Sequence, residues 1–262
     1  MKKILLIAAL TVTVLSSCNR NGETFLPKIS GSPYEILCVS SDRLWEGSVG
    51  DTIRNYFGQE MLVMPQAEKE FKVLRIPNNK FERHFAKHRN VIQLLVNSNV
   101  DSAGIYYKES FRSKGQQYFI LQAQDTASMV KLFSEHKENI RNLFLKTEQE
   151  RYITSFKQFP AKEVVSFFKD SMDMEINVPN GFRLNKTKKD FVWFSYETNE
   201  YSQGVIFFRE SLTDATQFNL QILLDRVNEV IKENIPGPVD STWMTLDMEA
   251  PYVAEIMMSH DK

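Results

Sequence analysis

Two histidines four residues apart, His84 and His88, have a spacing that could support chemistry. On a helix this spacing would place both imidazoles on one face, where they could bind one metal ion. Glu82 is nearby, but the pattern is not His-Glu-x-x-His, and the sequence indicates no third ligand. Phe81 and Phe85 would form the core face of the same helix, with the histidines flanking it. We therefore predict no metal site and no cofactor.

Three carboxylates, those of Asp42, Glu46 and Asp51, lie around Trp45 in a Gly-containing segment. A carboxylate pair beside an aromatic ring is an arrangement used in glycoside hydrolysis. Helix capping explains the same acids more simply. The sequence also lacks a phosphate loop, a Gly-x-Ser-x-Gly motif and a calcium loop. We predict no catalytic residues, although missing motifs do not exclude an enzyme, because triads are recognised by geometry.

The densest aromatic cluster is a possible binding surface formed by Phe191, Trp193, Phe194 and Tyr196. Because side chains alternate along a strand, Phe191 and Trp193 would share one face, and Phe194 and Tyr196 the other. One face must join the core. The other is either a platform for a sugar ring or a partner, or packs beneath a helix.

Cys18 is the predicted lipidation site. Two lysines precede an apolar run of 12 residues, Ile4–Leu15, and Leu15-Ser16-Ser17-Cys18 follows, as in a bacterial lipoprotein signal. The run is shorter than the roughly 20 residues of a membrane-spanning helix. The other alternative, secretion after an Ala-x-Ala-like cleavage, finds no such site after Leu10. Acyl chains such as palmitate on Cys18 would anchor the protein stably.

The composition of the mature chain, 245 residues from Cys18 onward, is that of a globular protein with an ordinary charge. It carries 30 basic and 33 acidic residues, a net charge of −3, which gives no footprint for nucleic acid. Cys38 lies in an apolar run, Tyr34–Val39, with no Lys, Arg or His adjacent in sequence. We predict a buried, inert thiol.

The pattern of elements predicts an α+β (mixed α/β) fold, in which an alternating α/β half is joined by a long helix to an antiparallel-sheet-plus-helix half. Short helices are predicted at 79–89 and 161–172, a helix opening at Thr213 or Asp214, and short strands at 174–178, 244–248 and 252–257. The predicted segments are a signal peptide (1–17), a tether (18–32), the N-terminal half (33–124), the connecting helices (125–172) and the C-terminal half (173–262).

Several short motifs, in their order and spacing, resemble a family of exported Gram-negative lipoproteins, domain of unknown function 4837. The motifs, which span most of the mature chain, are Gly31–Leu37, Leu44-Trp45-Glu46, Gly50-Asp51, Arg75-Ile76-Pro77, His88-Arg89-Asn90, Val178-Pro179, Gly181-Phe182, Asp190–Trp193, Gln203-Gly204 and Pro236-Gly237-Pro238. The resemblance implies a lipoprotein address and no activity. It also implies a Trp- and Gly-rich continuation beyond Tyr252–Ile256, so we expect a shortened C-terminus that leaves the second half without part of its sheet.

Together these features predict a protein attached to the cell envelope by its lipid. Asn19 does not supply the Asp that retains many lipoproteins at the inner membrane, and residues 19–23 lack an acidic run linked to surface export. We therefore expect the periplasmic face of the outer membrane. The predicted role is a binding or interaction module for an envelope protein or a glycan. The alternative is an envelope hydrolase acting on glycan or peptide.

Overall fold

The structure is a computed structural model that describes residues 26–61, 67–250 and 252. Helices and two separate sheets alternate along this part of the chain, which confirms the predicted α+β fold. The chain divides into two compact units: Met1–Tyr56 with Phe71–Lys137, and Phe57–Glu70 with Glu138–Lys262. No helix in the described ranges is long and apolar enough to cross a membrane. Cys18 and the predicted signal peptide lie outside these ranges.

The first unit contains a five-stranded sheet with the order β2-β1-β3-β5-β4. Strands β2, β1, β3 and β5 are parallel, and β4 pairs with β5 in the antiparallel sense. The elements in chain order are β1 (Glu35–Val39), α1 (Asp42–Trp45), α2 (Ser48–Phe57), β2 (Lys72–Ile76), β3 (Asn90–Val96), β4 (Gly104–Glu109) and β5 (Gln117–Ala123). The sequence predicts these five strands from its apolar runs, at 34–40, 71–76 and 91–96 and as a hairpin of 105–111 with 117–122.

The central strands of this sheet are buried on both faces, as expected for parallel strands. On one face Leu37, Val91 and Tyr118 form a cluster with Phe81 and other side chains. On the opposite face Cys38 is fully buried, and Arg54 of α2 is close enough to act electrostatically on its thiol. The sheet therefore buries side chains on both of its faces here.

The segment that crosses the other face is not the single helix predicted for residues 79–89. It forms two 3-10 turns, Asn78–Lys80 and Phe85–Lys87, and Arg83 between them has a φ of 44°. A left-handed residue interrupts a right-handed helix. Phe81 is instead held against Tyr118, with ring centroids 5.9 Å apart. The predicted helical spacing of His84 and His88 is therefore wrong.

Two consecutive helices follow: α3 (Thr126–Gln158) and α4 (Lys162–Met172). Asp125, which the sequence predicts as the cap because it precedes the apolar helical spacing, caps α3 by accepting a hydrogen bond from the Ser128 N–H at 2.8 Å. The boundary between the two units falls inside α3, after Lys137. Within the second unit, Arg141 on α3 forms a two-pronged ion pair with Glu70, which fixes the segment before Phe71 against the helix.

The second unit contains an antiparallel sheet of three strands, β6 (Arg183–Lys188), β7 (Phe191–Glu197) and β8 (Ser202–Phe208), with β7 in the centre. Helix α4 covers one face, where Phe168 packs with Val192 and Phe194. Helix α5 (Leu220–Asn234) covers the other, where Val230 and Ile231 pack with Phe191.

Several boundaries in the second unit differ from the predicted ones. The alternating residues 174–178 form no strand, whereas Arg183–Lys188 is an edge strand that its polar composition concealed. Asp214 caps a 3-10 turn, and helix α5 begins later, behind its own cap Asn219. Residues 244–248 form no strand, and all but one residue of the predicted strand 252–257 lie outside the described ranges.

Candidate functional site

The candidate site is a crevice at the carboxyl ends of the parallel strands in the first unit. Strands β1 and β3 are neighbours in the sheet. From β1 the chain connects to β2 on the side away from β3, and from β3 it connects to β4 and β5 on the side away from β1. Where neighbouring connections diverge in this way, an open α/β sheet leaves room for a ligand. A crevice of about 790 Å³ occupies this position, which is within the size range of small-molecule sites.

Residues that follow each parallel strand line the crevice. Ser41 and Arg43 follow β1, Asn78 follows β2, Asn97 follows the end of β3, and Gln124 follows β5. The remaining lining residues are Leu44, Leu94, Leu95, Val96, Ser98, Val100, Gln122, Asp125 and Thr126. Leu94 is buried and contributes apolar surface to the lining. The lining is thus rich in uncharged hydrogen-bonding groups.

Some of these polar groups are engaged by the protein itself. The Asn97 Oδ1 atom accepts from the Asn99 N–H at 2.9 Å, and Gln124 Nε2 donates to the Asp101 carbonyl at 2.9 Å. Both interactions shape the two loops that border the crevice. By contrast, the side chains of Arg43, Asn78 and Gln122 make no hydrogen bond or ion pair with another described residue. These three side chains are available to a ligand.

The charges at the crevice are few and of both signs. Arg43 is the guanidinium in the lining, and Asp125 is the carboxylate. Hydrogen bonding from the backbone N–H of Ser128 lowers the pKa of Asp125, so this carboxylate stays ionised at neutral pH. Because Asp125 occupies the amino terminus of α3 as its cap, the helix end does not attract an anion here.

At the opposite end of the sheet, His88 belongs to a buried polar cluster with Glu35 and Asn90. The His88 Nδ1 atom lies 3.2 Å from the Asn90 carbonyl oxygen, to which it can only donate. Its Nε2 lies 3.5 Å from Glu35 Oε2 and has no hydrogen-bond partner among the described residues. Both side chains are more than nine-tenths buried. His84 is exposed and does not join the cluster.

The pKa values of this pair are both lowered, for different reasons. Burial lowers the pKa of His88, against the opposing effects of the Asn90 carbonyl and the Glu35 carboxylate. For Glu35, burial acts in the raising direction, but the Ser32 N–H and the Lys72 ammonium outweigh it. A neutral His88 beside an ionised Glu35 fits the long 3.5 Å separation.

The predicted acid cluster around Trp45 does not converge. Asp42 pairs with Arg75, and Asp51 pairs with Arg54 at 2.5 Å. The Arg54 guanidinium also lies 4.5 Å from the centre of the Trp45 ring. Asp42 and Asp51 thus each have a separate basic partner. Across the described ranges, no three His, Cys, Asp or Glu side chains form a group that could hold a metal ion.

The predicted aromatic binding surface is divided between two cores. Phe191 packs towards α5 and Phe194 towards α4, and each is 5% exposed. A ligand could reach only the half-buried Trp193 and Tyr196, for which a binding role stays a prediction. Cys38 is fully buried, so the predicted burial is confirmed, and burial raises the pKa of its thiol to about 12, which supports the predicted inertness.

The crevice could not be recognised from motifs because its residues form none. These residues, Ser41, Asn78, Asn97 and Gln124, lie far from one another in sequence. They share only a position shortly after the end of a strand. A usable signal was present, since each follows a predicted apolar strand closely. Carboxyl ends of parallel strands meet at one edge of a sheet. Recognising it required the strand directions, which the sequence pattern did not provide.

Two family models match the chain. Residues 29–157 match a domain of unknown function designated DUF8532, and residues 161–262 match a domain of unknown function designated DUF4837. The resemblance to domain 4837 is therefore confirmed for the second part of the chain, whereas the first part, where we also placed it, matches a separate family model. No curated protein and no solved structure matches the chain.

Proposed function

We propose that this protein is a lipid-anchored binding protein of the cell envelope, attached through Cys18, with its ligand site in the crevice of the first unit. The lipoprotein signal ending at Cys18 supports the address. The observation that carries the binding role is the position of the crevice at the divergence point of the sheet, with polar side chains that the protein leaves unused. The proposed location is the outer membrane, facing the periplasm.

The chemistry of the lining favours a glycan as the ligand. Amide and hydroxyl side chains both donate and accept hydrogen bonds, as the hydroxyl groups of a sugar do. A single guanidinium, Arg43, and a single carboxylate, Asp125, provide no excess charge to attract a strongly anionic or cationic molecule. A saccharide fits this balance better than a nucleotide or a phosphorylated ligand does.

Binding of soluble glycans by the mature chain tests the proposed ligand class. The probes are chitotetraose and a mixture of muropeptides, observed by saturation-transfer NMR. Replacing Asn78→Ala or Gln122→Ala removes hydrogen-bonding groups from the crevice and should weaken binding about tenfold each. Asn79→Ala is the matched control, since Asn79 is adjacent to Asn78 and does not line the crevice. Absence of saturable binding, or equal loss in the control, would reject the glycan site.

The same samples distinguish binding from hydrolysis. Incubating the glycans with the protein for hours and analysing them by mass spectrometry reveals any cleavage. Intact glycans together with saturable binding agree with a binding protein. Cleavage that depends on Asp42, Glu46 or Asp51 would instead establish the envelope hydrolase.

The attachment has a separate test. Mass spectrometry of the native protein should find an N-terminal residue 18 that carries acyl chains, and Cys18→Ser should abolish the acylation. Fractionation of the envelope should place the acylated protein with the outer membrane. An unmodified N-terminus, or cleavage elsewhere than before Cys18, would contradict the anchor and leave the glycan site untouched.

A further inference from the structure

Three segments meet at the amino-end edge of the five-stranded sheet, opposite to the crevice within the same unit. The segment that enters from the predicted tether bonds to the other two through its backbone. Ser30 N donates to the Lys87 carbonyl at 2.9 Å, and Lys114 N donates to the Pro27 carbonyl at 2.9 Å. Ser113 Oγ joins the remaining pair by donating to the Lys87 carbonyl at 3.1 Å. Residues 27–31, 82–88 and 109–116 thus form one continuous surface, which we term the basic edge.

The basic edge carries an excess of positive charge. Its cations are Lys28, Arg83, Lys87, Arg112 and Lys114, and its exposed carboxylates are Glu82 and Glu109. Lys87 is half-buried, and the other four cations are exposed. None of the five forms an ion pair with another described residue. The surplus is notable because the whole chain has a formal charge of −1.

An exposed aromatic ring lies within the same surface. Phe85 is 48% exposed, between Arg83 and Lys87 in sequence. An apolar ring among cations matches the boundary between lipid headgroups and acyl chains, where both parts find a partner. Ser30 Oγ donates to the carbonyl of His84, next to Phe85, at 3.3 Å. The ring therefore lies close to where the chain enters the unit.

We propose that the basic edge docks on an anionic membrane surface. The chain supplies the geometry, since Leu26, the first described residue, is eight residues after Cys18. Eight residues span at most about 28 Å even when fully extended, so a lipid on Cys18 would hold the edge close to the headgroups. This step rests on the proposed anchor, whereas the charge and the exposed ring do not. Docking by this edge leaves the crevice, at the other end of the strands, facing the aqueous space.

Vesicle binding by the unacylated mature chain tests the docking independently of the lipid. The protein starts at residue 18 and carries Cys18→Ser. It is sedimented with vesicles of phosphatidylcholine alone, or of phosphatidylcholine with 30% phosphatidylglycerol, at low and high NaCl. We expect binding to the anionic vesicles only, weakening with salt because exposed charges are screened.

Charge reversal locates the surface. Each basic residue at an anionic membrane strengthens binding about fivefold. The triple variant Lys28→Glu, Arg83→Glu, Lys114→Glu should therefore lose on the order of a hundredfold in affinity. The control, Lys162→Glu, Lys169→Glu, Lys189→Glu, makes the same charge change at exposed sites of the second unit and should keep binding within a few fold. Before the binding assay, thermal unfolding must show that both variants unfold at the wild-type temperature.

Three results would overturn the docking surface: no binding to anionic vesicles at low salt, equal binding to neutral vesicles, or equal loss in the two triple variants. None of them depends on whether Cys18 is acylated or on whether the crevice binds a glycan. A failure of the docking surface is thus distinguishable from a failure of the proposed function. The reverse also holds, because an unacylated native protein could still show the salt-dependent vesicle binding.

Discussion

At the amino-end edge of the five-stranded sheet, the Gln116 side chain is fully buried and makes three hydrogen bonds. Its Nε2 donates to the carbonyls of Ala86 and His88, at 2.9 and 2.7 Å, and its Oε1 accepts from the Arg112 N–H at 2.9 Å. At the carboxyl ends, Gln122 lines the crevice and makes no hydrogen bond with a described residue. The two glutamines are six residues apart in sequence. They lie at opposite ends of the strands and differ in whether the protein uses their hydrogen-bonding groups.

The surroundings of a polar side chain decide whether its role is structural or ligand-binding. A buried amide must satisfy its own groups, and in doing so it fixes the backbone segments that it bridges. Asn90 acts in the same way, because its Nδ2 donates to the Glu35 carbonyl at 3.0 Å. An amide left without protein partners in a concave site retains its hydrogen-bonding capacity for a ligand. The buried amides at the amino end therefore bridge backbone segments of the protein, whereas Gln122 at the carboxyl end is left to a ligand.

The largest expected effect tests how far the opening at the carboxyl ends of the strands reaches into the sheet. Cys38 precedes the last residue of β1 but is fully buried, and burial raises the pKa of its thiol from 9.0 to about 12. At pH 8 the folded protein should therefore react with iodoacetamide at least a thousandfold more slowly than the unfolded chain, because only the thiolate reacts. A Cys18→Ser background leaves Cys38 as the sole thiol. Rapid labelling of the folded protein would show that the carboxyl end is open down to β1.

The two glutamines provide a matched comparison of stability. Gln116→Ala removes three hydrogen bonds and leaves two buried carbonyls without their donor, so the free energy of unfolding should fall by about 2–4 kcal/mol. Gln122→Ala should change it by less than about 0.5 kcal/mol, since it breaks no contact of this kind. Urea unfolding followed by circular dichroism measures both. Equal losses would mean that the crevice glutamine is also structural.

A pair of glycines separates steric fit from backbone strain at the amino end. Gly31 has a φ of 90°, and a Cβ there would lie 2.5 Å from His88 Nε2. Gly115 has a φ of 80° and open space around the Cβ position. Both alanine variants adopt an unfavourable left-handed backbone, which costs about 1 kcal/mol. Gly31→Ala must also displace His88, so it should lose about 1–2 kcal/mol more in the same urea assay. Similar losses of stability in the two variants would show that the His88 side chain moves aside at no measurable cost.

Much of the first unit could be predicted from its sequence. The apolar runs around Cys38, at 91–96 and at 117–122 correctly predicted strands. Parallel strands are buried on both faces, so their sequences are apolar almost throughout. The long helix followed from its apolar spacing and from Asp125, which caps it. Each of these signals is local, and each agrees with the tertiary environment.

The remainder depended on contacts that are distant in sequence. Residues 79–89 have helical spacing, but Phe81 packs on Tyr118, and the left-handed Arg83 divides the segment into two turns. The crevice residues come from four strand ends that only the topology brings together. Phe191 and Phe194 are both buried because a helix covers each face of their strand, which is the packing alternative that the aromatic pattern left open.

The smallest expected effect is the response of the amino end to acid. Burial lowers the pKa of His88 below its usual 6.5. Between pH 7.5 and 5.5 the unfolded chain therefore binds a larger fraction of a proton at His88 than the folded protein does, and stability must fall as the pH falls. One proton limits the slope to about 1.4 kcal/mol per pH unit. Glu35, whose pKa is also lowered, reduces the stability of the fold further only below about pH 4.5.

Urea unfolding at pH 7.5, 6.5 and 5.5 measures this slope. His88→Gln should remove its contribution, whereas His136→Gln, at an exposed position of α3, should leave the slope as in the wild type. An unchanged slope in His88→Gln would place the titrating group elsewhere. A wild-type stability that rises on acidification would show that His88 and Glu35 form an ion pair, because a histidine stabilised by its partner has a raised pKa and stabilises the fold at low pH. The polar cluster at the amino end would then be held by charge as well as by hydrogen bonds, whereas most of the polar groups that line the crevice are uncharged.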